Sequence, residues 1–141
     1  MKLHQLSVFL ENKPGQLKAV CKALADANLN IRTMTLADTK EFGIVRIILR
    51  EWEQAQFVLQ EAGFVATCSE VLALEVMDQP GGLAEVLNTI DDAKLNVEYM
   101  YAFTFGRDDK AVLIFRFDNA DVALERLKER GINVVSSIEL T

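Results

Sequence analysis

The stretch Asp78–Leu83, Asp-Gln-Pro-Gly-Gly-Leu, has a second form at Asn12–Leu17, Asn-Lys-Pro-Gly-Gln-Leu, and the two copies contain the only prolines of the chain. Each copy follows an alternating apolar run and opens an amphipathic one, which predicts a strand, a tight turn and a helix. The first residues of a helix present free backbone N–H groups, and glycine lets a ligand approach them closely. We therefore expect two small-anion sites in a protein that binds a small molecule.

The similarity extends well beyond these turns. Leu95-Asn96-Val97 repeats Leu29-Asn30-Ile31 at the same offset that relates the two turns. Gly131 repeats Gly63 at an offset that is larger by two, so the loop around Phe105–Lys110 is predicted to be two residues longer. The same apolar helical stripe also occurs twice, as Leu17, Val20, Cys21 and Leu24 and again as Leu83, Val86, Leu87 and Ile90. Such internal repetition predicts two tandem βαββαβ units, residues 1–69 and 70–141.

The apolar periodicity and the turn residues place the elements of each unit. In the first unit we expect four strands, Lys2–Leu10, Leu29–Asp38, Ile44–Leu49 and Phe64–Ser69, with a turn at Thr39–Gly43. We expect one helix after Pro14 and a second helix at Trp52–Ala62, which ends at Gly63 in the left-handed region. The second unit repeats this order. We expect strands at Leu72–Val76, Val97–Phe103, Ala111–Phe117 and Ile132–Ser137, a helix after Pro80 and a second helix at Asn119–Arg130. The fold class is α+β and ferredoxin-like, an antiparallel sheet with two helices on one face.

The other face of each sheet also needs cover, because Ile44–Leu49 and Ala111–Phe117 are almost entirely apolar. Packing of the two halves, and then of two chains, would cover that face and occupy exposed strand edges. We therefore expect a homodimer or a larger oligomer. Aromatic residues on the strand Val97–Phe103 (Tyr99, Tyr101 and Phe103) serve either core packing or a protein contact.

Composition excludes several classes of protein. A net charge of −6, from 15 basic and 21 acidic residues, argues against a nucleic-acid partner. The apolar runs are too short to cross a membrane, and the N-terminus lacks the pattern of a signal peptide, so we expect a cytoplasmic protein. Cys21 and Cys68 lack the spacing of a metal or redox motif and are interpreted as reduced core thiols. The single histidine, His4, excludes a multi-histidine metal site.

The chemistry of the turns fits an α-amino acid. A carboxylate gains about 0.3–1 kcal/mol at a helix N-terminus, while Asp78, or Asn12 through its carbonyl oxygen, can accept from an ammonium group. The alternative is structural, since Asn and Asp before a helix are frequent capping residues and Pro-Gly is frequent in turns.

The pattern from Asp78 to Ala84, followed by Leu95-Asn96-Val97, resembles the ACT domain, the regulatory amino-acid-binding module of many metabolic enzymes; the first copy is similar, and together the two units cover nearly the whole chain. The resemblance implies the ACT fold, units that associate in pairs and an effector bound between units. From the residues themselves we expect no cofactor, no metal and no catalytic residue. Carried over to this sequence, the implied ligand-binding residues are Asn12, Pro14, Gly15, Gln16, Leu17, Asn30, Ile31, Asp78, Pro80, Gly81, Gly82, Leu83, Asn96 and Val97. Asn12 departs from the acidic residue common in the family, so if only one turn binds, we expect it to be the second.

Three alternatives remain. The chain is either a free amino-acid sensor that regulates a metabolic enzyme partner, an interaction subunit that regulates such an enzyme without a ligand, or a small enzyme. An RNA-binding module is disfavoured by the acidic charge and by Thr33 and Thr35 where such a module needs aromatic residues. An enzyme would need an acid–base pair or a nucleophile, and neither His4 nor Cys21 has a second titratable residue at a suggestive spacing.

Overall fold

The computed structural model describes residues 2–38, 41–104, 106 and 108–140. The chain divides into two compact units. His4–Ser69 form the N-terminal unit, and Glu70–Leu140 together with the residues up to Leu3 form the C-terminal unit. Thr39 of the predicted turn and Phe105 of the predicted longer loop lie outside the described residues.

The N-terminal unit has the predicted βαββαβ order, which continues into the strand it shares with the second unit. Its elements are β1 (Leu3–Glu11), α1 (Gln16–Asp26), β2 (Thr33–Asp38), β3 (Phe42–Ile48), α2 (Trp52–Glu61) and the start of β4 (Val65–Met77). The strand order is β2-β3-β1-β4, the ferredoxin-like order in which the first and third strands are central.

The C-terminal unit repeats this order from the second part of β4. Its further elements are α3 (Gly82–Asp92), β5 (Val97–Ala102), β6 (Lys110–Phe117), α4 (Ala120–Glu129), β7 (Val134–Val135) and α5 (Ser137–Leu140). β4 pairs with β6 and β7, and β5 pairs with β6. The predicted fold class is therefore confirmed.

The strand register shows how closely the two units repeat. Leu6 of β1 lies opposite Ile47, and Leu72 of β4 lies opposite Phe115. The spacing from Leu6 to Leu72 equals the spacing from Asn12 to Asp78 in the two turns, whereas the spacing from Ile47 to Phe115 is two residues longer. The outer pairs obey the same rule, since Met34 lies opposite Ile47 and Met100 opposite Phe115. The two additional residues therefore lie between β5 and β6, where the sequence placed them.

Each unit has its own core on the helix side of its sheet. In the N-terminal unit Leu6, Val8 and Leu10 of β1 pack with Val20 and Leu24 of α1. The residues at the equivalent positions of the C-terminal unit do the same: Leu72, Leu74, Val76, Val86 and Ile90. The alternation of side chains along each strand and the 3.6-residue period of each helix thus bury equivalent positions in the two units.

Several predicted boundaries are wrong. The strands expected at Phe64–Ser69 and Leu72–Val76 form one continuous strand, β4, because no glycine or proline interrupts the chain between them. The strand expected from Leu29 begins only at Thr33, because the Leu29 N–H still bonds to the Leu24 carbonyl at 2.9 Å and closes the end of α1. The last strand is only Val134–Val135, and the short helix α5 follows it.

The apolar stripe predicted for α1 and α3 is buried only in part. Val20 and Leu24 are fully buried, but Leu17 is 37% exposed and Cys21 is partly exposed. Cys68 packs against the N-terminal core, and both cysteines are free thiols. On β5 a register shift between Val97 and Tyr99 separates these two residues, and Val97 packs against the helix-side core instead of continuing the face of Tyr99 and Tyr101.

Candidate functional site

Both Pro-Gly turns place a glycine in the left-handed region immediately before a helix. Gly15 has φ 89° and Gly81 has φ 85°, and each is the N-cap of the helix that follows it. Glycine adopts this region without the steric cost that a Cβ imposes. The capping position that the structural alternative gave to Asn12 and Asp78 is therefore held by glycine, which has no side chain to make a cap bond.

The helix starts leave backbone N–H groups available. Intrahelical bonding begins with Ala19 N–H to Gly15 O and Glu85 N–H to Gly81 O, both at 3.0 Å. Before Glu85, the N–H groups of Leu83 and Ala84 have no acceptor among the described residues, and the same holds for Leu17 and Lys18 before Ala19. Such groups carry the positive end of the helix dipole and favour an anion.

Each turn is held by the loop that precedes the third strand of its unit. The Asn12 N–H donates to the Glu41 carbonyl and the Asp78 N–H to the Asp109 carbonyl, both at 2.9 Å. Sequence reasoning missed Glu41 and Asp109 as supports of the turns. Asp109 follows Glu41 by the same offset that relates β6 to β3, and this offset is the signal that identifies the two residues.

The two turns differ at the first residue of the helix. Gly82 is buried, and a Cβ there would collide with the Met77 carbonyl oxygen at the end of β4. Gln16 occupies the equivalent position in the first turn and is partly exposed. The start of α3 therefore lies against the end of its strand in a way that only glycine permits.

The side chains assigned to the site by resemblance fall into two groups. The turn residues, apart from Gly82, are exposed or partly exposed and lie in two short segments: Asn12, Pro14, Gly15, Gln16, Leu17, Asp78, Pro80, Gly81 and Leu83. Asn30 and Asn96 are exposed in the segments before β2 and β5. Ile31 and Val97 instead pack against the two cores, which leaves chiefly their backbone for a ligand.

The only histidine, which the sequence offered as a candidate for catalysis or metal binding, packs against an aromatic ring. The His4 ring stacks on Trp52 with the ring centres 4.4 Å apart. Within the described residues no three side chains of the metal-binding types form a group. None of the helices in that part of the chain combines the length and apolar character needed to cross a membrane.

A ferredoxin-like repeat with a glycine-capped helix start in each unit is the architecture of an ACT regulatory module. The family model described as "ACT domain pair" matches residues 1–141, and the chain belongs to this family.

The chain is similar over 99% of its length to the crystal structure of protein BT0572 from Bacteroides thetaiotaomicron, with 33% identity, a TM-score of 0.91 and 96% of that chain covered. It shares the fold of the aspartate kinase regulatory subunits from Thermus thermophilus (14% identity, TM-score 0.64, 92% and 93% of the chains covered) and Thermus flavus (15%, 0.59, 92% and 93%). No curated protein matches the sequence significantly.

Proposed function

We propose that the protein is a cytoplasmic regulatory protein that binds a free amino acid at its ACT turns, as a homodimer, and passes a conformational change to a metabolic enzyme. The observation that carries the proposal is the pair of helix starts with left-handed Gly15 and Gly81 and free N–H groups behind them. The protein carries out no chemistry of its own. Its domains are the two ACT units, residues 1–69 and 70–141.

The chemical complement of the second turn is an α-amino acid. Its carboxylate accepts from the Leu83 and Ala84 N–H groups, and its ammonium donates to the exposed Asp78 carboxylate. At the first turn the uncharged Asn12 gives a weaker ammonium contact. An exposed ion pair contributes about 0.2–1 kcal/mol, so the second turn binds up to about fivefold tighter than the first.

The regulatory output is a population shift. An amino acid bound where units meet favours one packing of the pair, and the partner enzyme responds to the difference. A ligand of so few atoms binds in the micromolar to millimolar range, because the free energy per atom is about −1.5 kcal/mol at best and usually falls well below that limit. That range suits the sensing of a metabolite pool.

A thermal-shift screen with the twenty amino acids at millimolar concentration tests the proposal. A ligand at 100 times its dissociation constant adds about 2.7 kcal/mol, which raises the melting temperature by several degrees. Asp78→Asn is expected to weaken binding of the responding amino acid by up to about fivefold, measured by calorimetry. Glu125→Gln, which removes an exposed carboxylate of α4, is expected to leave it unchanged. A flat response to all twenty would contradict the proposal and favour the second candidate.

The second candidate is an interaction subunit without a ligand. Exposed apolar residues beside each turn favour it, Leu17 in the first unit and Leu83 with Leu87 in the second, because exposed apolar side chains can mark a protein contact. Under this function the thermal screen is flat while the chain still binds its partner.

A further inference from the structure

The sheet of the N-terminal unit exposes large apolar side chains on the face away from its helices. Phe9 of β1 is 45% exposed, Phe42 of β3 is 52% exposed and Val65 of β4 is 61% exposed. Each of them alternates along its strand with residues of the helix-side core, so its side chain points to the other face. Phe9 lies directly opposite Ile44, and Phe42 is the preceding residue of β3 on the same face. Neighbours in this arrangement are within reach of each other's side chains.

The C-terminal unit has polar and charged residues at the equivalent positions. The offsets of the repeat relate the three exposed residues to Glu75, Lys110 and Asn133. The Glu75 carboxylate accepts from Asn133 Nδ2 at 2.8 Å and lies 3.5 Å from Lys110 Nζ. The Glu75 N–H also bonds to the Asn133 carbonyl at 3.1 Å, so the equivalent Phe9 and Val65 are neighbours on adjacent strands. The fold therefore does not require apolar residues here, and their exposure in the N-terminal unit marks an interaction surface.

We name Phe9, Phe42, Ile44 and Val65 the open-face patch. The patch adjoins the first Pro-Gly turn, because β1 ends two residues after Phe9. The Asn12 N–H donates to the carbonyl of the residue before Phe42. A movement of the turn therefore reaches the patch through one backbone hydrogen bond.

Carboxylates border the patch on the side of the turn. Glu11 lies directly opposite Phe42, and its side chain is 64% exposed. Lys13 pairs with Glu11 at 3.0 Å, whereas the exposed Glu41 forms no ion pair within the described residues. Apolar side chains beside a carboxylate complement a protein surface in which an apolar residue lies next to a lysine or arginine.

We propose that the partner enzyme of the proposed function docks on the open-face patch, with an apolar side chain against Phe9 and Phe42 and a basic side chain near Glu41. The inference rests on the proposed function and assigns the surface that carries its regulatory output. A second copy placed patch to patch would bring the same carboxylates in place of a basic group. The proposed homodimer therefore forms through other surfaces.

Site-specific photo-crosslinking identifies the occupant of the patch. The photoreactive residue p-benzoylphenylalanine replaces Phe9, Phe42 or, as the matched control, Phe57, which is 62% exposed on α2. In cells of the source organism the first two positions are expected to crosslink to an enzyme, at a segment that mass spectrometry shows to contain apolar and basic residues, and the control position is not. No crosslink, a crosslink only to a second chain of 15.8 kDa, a captured protein that is not an enzyme, or equal capture at Phe57 would overturn the proposal.

A variant that transplants the polar set of the second unit measures the contribution of the patch. Phe9→Glu with Phe42→Lys and Val65→Asn is expected to fold, checked by far-UV circular dichroism, because the C-terminal unit has these residues at the equivalent positions. It is expected to bind the purified crosslinked enzyme about tenfold more weakly or worse, and Phe57→Lys is expected to bind like the wild type. Phe42→Ser, which removes one exposed ring, is expected to weaken binding about fivefold. Undiminished binding by Phe42→Ser and by the transplant variant would overturn the docking surface.

The docking surface and the ligand site fail separately. A flat amino-acid screen together with a crosslinked enzyme would contradict ligand binding and leave the docking surface standing. A responding amino acid without a crosslinked enzyme would overturn the docking surface and leave ligand binding standing.

Discussion

Gly81 and Gly82 are adjacent, but glycine is required at each for a different physical reason. At Gly81 the backbone is left-handed and a Cβ would meet no atom within 4 Å, so the requirement is conformational. At Gly82 a Cβ would collide with the backbone of Met77, so the requirement is steric. The repeated Pro-Gly predicted the first requirement from the sequence. The second depends on how closely α3 approaches the end of β4, which local sequence does not determine.

Substitution by alanine separates these two effects. Gly82→Ala is expected to lower the free energy of unfolding by about 1–3 kcal/mol, the usual cost of overpacking against backbone that cannot easily move. Gly81→Ala costs less, about 1 kcal/mol, because a left-handed strain of about 1–2 kcal/mol is partly offset by the lower entropy of the unfolded chain. Urea unfolding measures both.

The first turn provides the matched control, since Gln16 already carries a Cβ at the position equivalent to Gly82. Gln16→Ala is therefore expected to change stability by less than about 0.5 kcal/mol. If Gly82→Ala were equally neutral, the approach of α3 to Met77 would not be tight, and the proposed difference between the two turns would lose its structural basis.

At the scale of elements, the repeat predicted more than the local pattern did. Its two offsets, which differ by two, located the strand register and the longer loop, because paired strands must keep their apolar residues on one face. The apolar pattern misplaced two boundaries for local reasons: β4 runs on through Ser69–Val71, where no glycine or proline interrupts the chain, and the Leu29 N–H closes the end of α1 by bonding to the Leu24 carbonyl. The helix α5 was missed because four residues carry too little periodicity to distinguish a helix from a strand.

Among the N-cap residues of α1 to α4, only that of α4 makes a side-chain cap bond. Oδ1 of Asn119 accepts from the Val122 N–H at 3.1 Å. Asn119→Ala is expected to cost about 0.5–2 kcal/mol, because that N–H loses its acceptor. Glu51→Ala is the matched control, since Glu51 is the N-cap of α2 and makes no side-chain cap bond; it is expected to change stability by less than about 0.5 kcal/mol. Equal losses in thermal unfolding would show that the Asn119 bond contributes little.

At the scale of the whole molecule, the sequence predicted the tandem ferredoxin-like repeat and its family, because a constant periodicity in turns, stripes and Asn-bearing segments is a strong global signal. It could not predict ion pairs between residues far apart in sequence. Lys2 is such a case: its Nζ lies 2.7 Å from Asp121 Oδ1 in α4 and 2.8 Å from Glu70 Oε2 in β4. These contacts join the start of the chain to the C-terminal unit, to which residues 2–3 belong.

The Lys2 ion pairs predict a stability change at high pH. Hydrogen bonds to Asp121 and then Glu70 raise the pKa of Lys2 above its ordinary value of 10.5, against an opposing effect of desolvation. A raised folded-state pKa stabilises the fold below the unfolded pKa, and this contribution is lost as pH rises through the folded pKa. Lys2→Gln should therefore melt below the wild-type chain from neutral pH to about pH 10, and the difference should close above 10.5.

Lys13→Gln is the control for this comparison, because Lys13 pairs with Glu11 at 3.0 Å on a surface where both side chains are more than half exposed. Such a pair is largely screened by solvent, so the variant is expected to melt close to the wild type at every pH. High salt should narrow the Lys2 difference at neutral pH by screening the charges. If the Lys2→Gln difference persisted unchanged at the highest pH, the stabilisation would come from packing of the lysine stem, and the ion pairs would not be its source.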